Sequence, residues 1–227
     1  GCSNIRIAGN YIGTDITGML DRGNGQIGIH PVGGGSLIGT NADGVSDVLE
    51  RNIISGNNNC GISCIGGDAD NNVIAGNWIG LNSAGTGALG NSQGGVRFML
   101  GAANNRLGSN ADGVHDAAER NVICANGWNG VEIMSGATGN TVAGNYVGVR
   151  PDGISAQGNA ADGIHINASP SNTIGGDIAA SRNVISANGE DGIQITAAGS
   201  SVNLVRGNYI GTTASGKPSN HLPTRSE

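Results

Sequence analysis

The sequence predicts an all-β solenoid, a stack of about 6–7 coils with three short parallel strands in each. Three observations lead there. An octet is written four times: "AGNYIGTD" at 8–15, "AGNWIGLN" at 75–82, "AGNYVGVR" at 143–150 and "RGNYIGTT" at 206–213. Its first glycines, Gly9, Gly76, Gly144 and Gly207, lie 67, 68 and 63 residues apart. Shorter echoes recur about every 29–35 residues inside that unit. Finally, the 227 residues hold 43 Gly but only 5 Pro and 37% apolar residues. That balance fits neither a disordered chain nor a three-residue collagen period.

Each unit contains three echoes in fixed order. The first is Gly-apolar-x-apolar, as in "GIHP" at 28, "GISC" at 61, "GVRF" at 95, "GVEI" at 130, "GIHI" at 163 and "GIQI" at 192. The second runs "IRIAG" at 5, "SLIG" at 36, "NVIAG" at 72, "NRLG" at 105, "NTVAG" at 140, "NTIGG" at 172 and "NLVRG" at 203. The third alternates "YIGT"-like and "NVIS"-like spellings, beginning at 11, 52, 78, 121, 146, 183 and 209. Short β-branched runs of period two, bounded by Gly or Asn, are strands. Equivalent strands recur in the same chain direction, so they pair in parallel from coil to coil. Twenty such strands make about 6⅔ coils, a stack roughly 32 Å long at ~4.8 Å per coil.

Alternation assigns the faces. Ile29, Ile62, Val96, Val131, Ile164 and Ile193 point inward from the first echo, and the central aliphatic residues of the other two echoes do the same. Asparagine marks the corners in two columns: Asn72, Asn105, Asn140, Asn172 and Asn203, then Asn10, Asn77, Asn145 and Asn208. A stacked Asn can bond corner backbone and the next Asn amide, and it tolerates the left-handed backbone of a sharp corner. Long loops follow the third strand at 15–26, 82–93 and 150–162, and precede it in alternate coils at 40–51, 109–120 and 176–182.

These motifs resemble the right-handed parallel β-helix repeats of the pectin-lyase-like superfamily. More narrowly they resemble the "GNYIGTD..G....GN", "N.IGG" and "RNVISGN" repeats of large secreted or surface bacterial proteins. The resemblance covers the chain to about Thr213. It implies an extracellular or cell-surface location. It also implies either a non-catalytic module that gives reach, adhesion or polysaccharide contact, or a polysaccharide lyase or glycoside hydrolase.

Outward positions of the first echo are His30, Ser63, Arg97, Glu132, His165 and Gln194. Arg97, Glu132 and His165 occupy consecutive coils, with Asp162, Glu190 and Asp191 just before the following strands. Such a group could be a catalytic site, with Arg97 on a uronate and Glu132 and His165 as acid and base. It could equally be a surface ladder of compatible charges. Neither a pectate-lyase calcium cluster nor a paired-Asp glycosidase signature is present. On this reading Glu132→Gln abolishes any turnover and leaves stability nearly untouched.

Tyr11, Trp78, Tyr146 and Tyr209 point outward from the third echo, either as sugar- or partner-stacking rings or as a strip roofed by the long loops. Two loops nearly match, "NADGVSDVLER" at 41–51 and "NADGVHDAAER" at 110–120. Their Asp43, Asp47, Glu50, Asp112, Asp116 and Glu119 could hold calcium. Alternatively they form Asp-Gly turns whose acids pair with Arg51 and Arg120. No cofactor is required by any motif.

The formal net charge of −6 and the lack of Lys/Arg clusters argue against nucleic acid. No apolar run is long enough to span a membrane. The four cysteines, Cys2, Cys60, Cys64 and Cys124, show no metal spacing and read as free, largely packed thiols. The chain starts at Gly1-Cys2 in mid-repeat, as a trimmed or mature fragment would, and no signal peptide is visible. Residues 1–213 are expected to be the β-helix and 214–227 a polar tail. Neither end shows a capping helix, so the expectation is part of a longer β-helix, or end-to-end or lateral self-association.

Overall fold

The structure is a computed structural model that describes residues 2–218. It is an all-β parallel solenoid of about six turns. Five strands form sheet one: Ile62–Ile65, Val96–Met99, Val131–Met134, Ile164–Asn167 and Ile193–Thr196. Sheet two has seven, beginning at Arg6–Ile7 and Leu37–Gly39 and ending at Leu204–Arg206. Sheet three also has seven, from Tyr11–Ile12 and Ile53–Ile54 to Tyr209–Ile210. Pairing is parallel and in register with the echoes, so Val131 sits between Val96 and Ile164, and Val122 between Trp78 and Tyr146.

Nineteen of the twenty expected strands form. The exception is the echo at 28, reduced to a single bridge between Ile29 and Ile62. Pro31 offers no backbone donor there, and Gly33–Gly35 follow at once, so no ladder can extend. The inward positions build one continuous core, including Ile38, Ile54, Ile74, Ile79, Phe98, Leu107, Ile123, Ile133 and Ile164. Each fully buried aliphatic side chain contributes about 1.5–3 kcal/mol.

The corners hold three asparagine ladders, where the sequence suggested two. The Asn72 to Asn203 ladder is as expected. The second is denser than read, because Asn52, Asn121 and Asn183 of the "RN" spelling fill the alternate coils between Asn10, Asn77, Asn145 and Asn208. The third runs through Asn24, Asn57, Asn91, Asn126, Asn159 and Asn188. In all three, each Asn donates its backbone N–H and its Nδ2 to the Oδ1 of the Asn one coil later. Asn77, for example, donates at 2.9 and 3.1 Å to Asn121 Oδ1.

The left-handed conformation falls one residue earlier than expected. It belongs to the residue before each rung of the first ladder: Asn71 (φ 56°), Asn104 (55°), Ser171 (60°) and Val202 (59°), with Gly139 in the same role. The rungs themselves are not left-handed. Val202 is a β-branched residue in a conformation it strongly disfavours.

Each long loop after sheet three closes on an antiparallel bridge: Thr14 to Asp21, Leu81 to Ala88, Val149 to Ala156, and Thr212 to Pro218. The last bridge places residues 214–218 in a fourth loop of this kind, beyond the boundary drawn after Thr213. The rest of the expected tail, 219–227, lies outside the described residues. Among the described residues the only helix is a 3₁₀ turn, Ala179–Ser181, and no helix is long and apolar enough to cross a membrane. The core is open at its first coil, where a cavity of about 370 Å³ is lined by Ile5, Ile7, Ile12, Ile29 and Val32.

Two substitutions test this reading. Asn121→Ala strands donors of Asn77 in a fully buried corner and should cost about 3 kcal/mol in chemical denaturation, against roughly 1 kcal/mol for Asn208→Ala on the last rung. Val202→Asn relieves a left-handed valine that is 82% exposed and should stabilise by roughly 1 kcal/mol, read as a higher denaturation midpoint.

Candidate functional site

Sheet one brings Arg97, Glu132 and His165 together in register. Their backbones alternate outward as read, but the middle side chain is not open to solvent. Glu132 is 4% exposed at its side chain, and both its oxygens are engaged. Arg97 Nε donates to Oε2 at 2.5 Å, and Asn129 Nδ2 donates to Oε1 at 3.1 Å. Gly94 allows this closure, since a Cβ there would stand 3.2 Å from Oε2. Arg97 also donates to Gln93 Oε1 at 3.2 Å. Its charge is thus offset by Glu132 and tied down from a second side. Ser63, one coil earlier, is fully buried with its hydroxyl unpaired.

Glu132 and His165 meet only through Asn129, whose Nδ2 lies 3.5 Å from His165 Nδ1. On its other side His165 Nε2 is 2.9 Å from Thr196 Oγ1. Asp162 Oδ2 is 4.0 Å from His165 Nδ1, beyond hydrogen-bond reach. An acid, an imidazole and a hydroxyl are therefore in order, but the acid–imidazole contact that would orient a general base is not made. Asp162 instead accepts the backbone N–H of Asp191, and Asn129 Oδ1 accepts that of Asp162.

Sequence reading missed Trp128. It lies in the corner column formed by Asn59, Gln93, Trp128, Ala161 and Glu190, linked by backbone hydrogen bonds. It is 53% exposed. The half-buried Met99 and Met134 lie on the outer face of the same sheet. The signal was present: Trp128 stands two residues after a corner Asn, at a position that is otherwise small or polar.

The aromatic column of sheet three is differently used. Each of three rings carries a guanidinium from the preceding coil: Arg51 over Trp78 at 4.2 Å, Arg120 over Tyr146 at 4.3 Å and Arg182 over Tyr209 at 4.2 Å. Each Arg Nε also donates to a glycine carbonyl, Gly76, Gly144 or Gly207. Glycines of the following loops, Gly85, Gly153 and Gly216, lie against the same rings. Tyr146 is left only 9% exposed, so loop and arginine together roof the strip. Tyr11 has no such cation and is 48% exposed.

The expectation that Arg51 and Arg120 pair with the loop acids is therefore corrected. Arg6 pairs with Glu50 and Arg106 with Glu119 instead. The other carboxylates hold their own loops. Asp43 accepts Val45 N and Asn41 Nδ2, and Asp112 repeats this with Val114 and Asn110. Asp47 and Asp116 accept the hydroxyls of Thr40 and Ser109. Among the described residues no group of three or more His, Cys, Asp or Glu converges on a point where a metal ion could sit, so the structure does not assemble these six acids into a calcium cage. The thiols of Cys64 and Cys124 are pushed up to about 12 by burial and are poor nucleophiles.

Two measurements follow from this geometry. A double-mutant cycle with Arg120→Ala and Tyr146→Ala should give a coupling of about 1 kcal/mol. Contrary to the expectation from sequence, Glu132→Gln should lower stability by about 2 kcal/mol, because it leaves the mostly covered Arg97 without its counter-ion.

No family model, no curated protein and no solved structure matches the chain, so the site stands on its own geometry.

Proposed function

We propose that the chain is a non-catalytic β-helix module of an extracellular or cell-surface protein, a structural and adhesive scaffold that contacts polysaccharide through the outer face of sheet one. The observation that carries this reading is the closed Glu132 carboxylate together with the exposed Trp128, one residue before the Asn129 that donates to Glu132 Oε1. A carboxylate with both oxygens bonded is a positioned strut, not a poised acid or base. An exposed indole, with Gln93 and Glu190 in its own corner column and Asn129 next in sequence, offers an apolar platform among polar residues, a composition suited to sugar contact. Coils rise by about 4.8 Å, comparable to the advance of one sugar ring along a polymer.

Charge selects among glycans. Arg97 is offset by Glu132, which leaves the exposed Glu190 and Asp191 just before the last strand of sheet one. That balance favours a neutral, hydroxyl-rich polymer over a uronate. The resemblance to right-handed, pectin-lyase-like β-helix repeats supports the external location and the glycan class.

A lyase or hydrolase reading retains one observation: His165 remains partly exposed and is bridged to Glu132 by Asn129. One experiment separates the two. The chain is incubated with neutral and acidic polysaccharides, with and without calcium, and analysed for retention and for shortened products. The module reading predicts retention on a neutral polymer, no shortened products, and binding weakened about tenfold or more by Trp128→Ala at unchanged melting temperature. Products that vanish in Glu132→Gln would establish the enzyme.

A further inference from the structure

Just before the strand Ile164–Asn167, sheet one holds a carboxylate that is buried and half used. Asp162 is 2% exposed, and its Oδ1 accepts the backbone N–H of Asp191 at 2.9 Å. Its Oδ2 makes no hydrogen bond and faces His165 Nδ1 across 4.0 Å. That gap is too wide for a direct bond, but one oxygen atom can stand about 2.8 Å from both groups. Among the described residues, the unpaired side-chain atoms that are wholly enclosed are Ser63 Oγ, Arg150 Nε and Ser186 Oγ. Asp162 Oδ2 is unpaired but not enclosed, and the His165 side chain is 20% exposed, so an oxygen from outside can enter the gap. A buried carboxylate with an unused oxygen is costly unless something completes it.

The bonds around His165 fix what can complete it. Asn167 Nδ2 donates to Thr196 Oγ1 at 2.9 Å, and His165 Nε2 lies 2.9 Å from the same oxygen. Among the described residues the Thr196 hydroxyl has no other acceptor, so its proton goes to Nε2 and the imidazole proton stands on Nδ1. Asn129 Nδ2, 3.5 Å from Nδ1, is already given to Glu132 Oε1 at 3.1 Å. The gap is therefore walled by one donor, Nδ1–H, and one acceptor, Oδ2. A hydroxyl matches both, since its oxygen accepts from Nδ1 while its proton goes to Oδ2. A carboxylate has no proton to give, and an ammonium has no lone pair to receive one.

We propose that Asp162 and His165 are the hydroxyl anchor of the glycan face and hold one unsubstituted sugar hydroxyl between Oδ2 and Nδ1. Thr196 and Asn167 are positioning residues that set the imidazole tautomer. The inference rests on the glycan reading of sheet one and deepens it by naming the group that is recognised. Backbone bonds tie the anchor to the corner of Trp128. Ala161 N donates to the Trp128 carbonyl at 3.2 Å, and Asp162 N donates to Oδ1 of Asn129, the residue after Trp128, at 2.8 Å. Ring and anchor thus belong to the same end of sheet one in two successive coils. The ring accepts any sugar with an apolar face, whereas the anchor selects one whose hydroxyl is free.

The test uses the full chain and neutral polysaccharides as probes, a β-glucan, a mannan, a xylan and a galactan, with affinity measured on the polymer that retains the chain. Asp162→Asn keeps Oδ1 for Asp191 but turns a donor toward Nδ1, and should weaken binding about tenfold at unchanged melting temperature. Thr196→Val should weaken it in the same direction by freeing the tautomer. Acetylating the hydroxyls of the same polymer should weaken binding by the wild-type chain and cost Asp162→Asn little more. Without any glycan, a long-range proton–nitrogen NMR spectrum at about pH 8 should show His165 protonated on Nδ1, and Thr196→Val should shift that balance toward Nε2. A proton on Nε2 in the wild type, or Asp162→Asn binding as tightly as the wild type, would overturn the anchor. Binding lost in Trp128→Ala but intact in Asp162→Asn would leave the glycan reading standing and remove the anchor alone. No retention of the wild type on any of the polymers would remove both.

Discussion

The structure depends on the asparagine amide at each corner. Parallel strands satisfy their backbone through sheet pairing, but a coil that turns three times must leave the sheet three times. At each turn a buried N–H would be orphaned, at a cost of about 1–3 kcal/mol. The ladders answer this with one residue type. Each Oδ1 accepts both the backbone N–H and the Nδ2 of the rung before it, and the remaining side-chain proton often finds a nearby carbonyl, as Asn121 Nδ2 does on Ile74 O at 2.8 Å. Only a planar amide of this length offers acceptor and donor in that arrangement; aspartate would supply no proton and leucine neither group. The same demand explains the repetition of the sequence. A rung is fully satisfied by another Asn at the same corner, so coil after coil spells its corner alike; where Ser36 precedes Asn72 in the first ladder, only its backbone N–H donates to the next Oδ1.

Most of the fold is legible for that reason. The Gly-apolar echo, the Asn-x-aliphatic echo and the "GN" and "RN" spellings between them mark all three sheets. The third ladder was legible too, because Asn24, Asn57, Asn91, Asn126, Asn159 and Asn188 each stand four residues before the glycine of a first echo. It escaped notice because the residues between Asn and Gly vary. What resisted reading are contacts made between coils. Arg51 and Arg120 lie beside acids in sequence, yet their neighbours in space are rings 27 and 26 residues on, because the next coil passes directly over the arginine. Glu132 points outward by alternation, and only the stacking of Gly94 and Asn129 around it shows that outward is not exposed here.

Chemistry gathers where the rhyme breaks. Trp128 stands in a column whose neighbours are Gln93 and Ala161, and Arg97, Glu132 and His165 are three different residues at one repeated position. The scaffold holds the last three rigidly, because each lies on a strand paired on both sides. On the proposed reading, such a surface serves recognition of an extended polymer rather than a reaction needing a mobile acid.

Side-chain amide exchange tests the central claim most directly. In an NMR hydrogen-exchange experiment under native conditions, the Nδ2 protons of Asn77, Asn121 and Asn145, of Asn91 and Asn126, and of Asn105 and Asn140 should be protected by orders of magnitude over a free amide, with protection fading toward the terminal rungs. Free-amide rates at the interior rungs would contradict the account. The corners would then be held by the sheets alone, with asparagine as an incidental passenger.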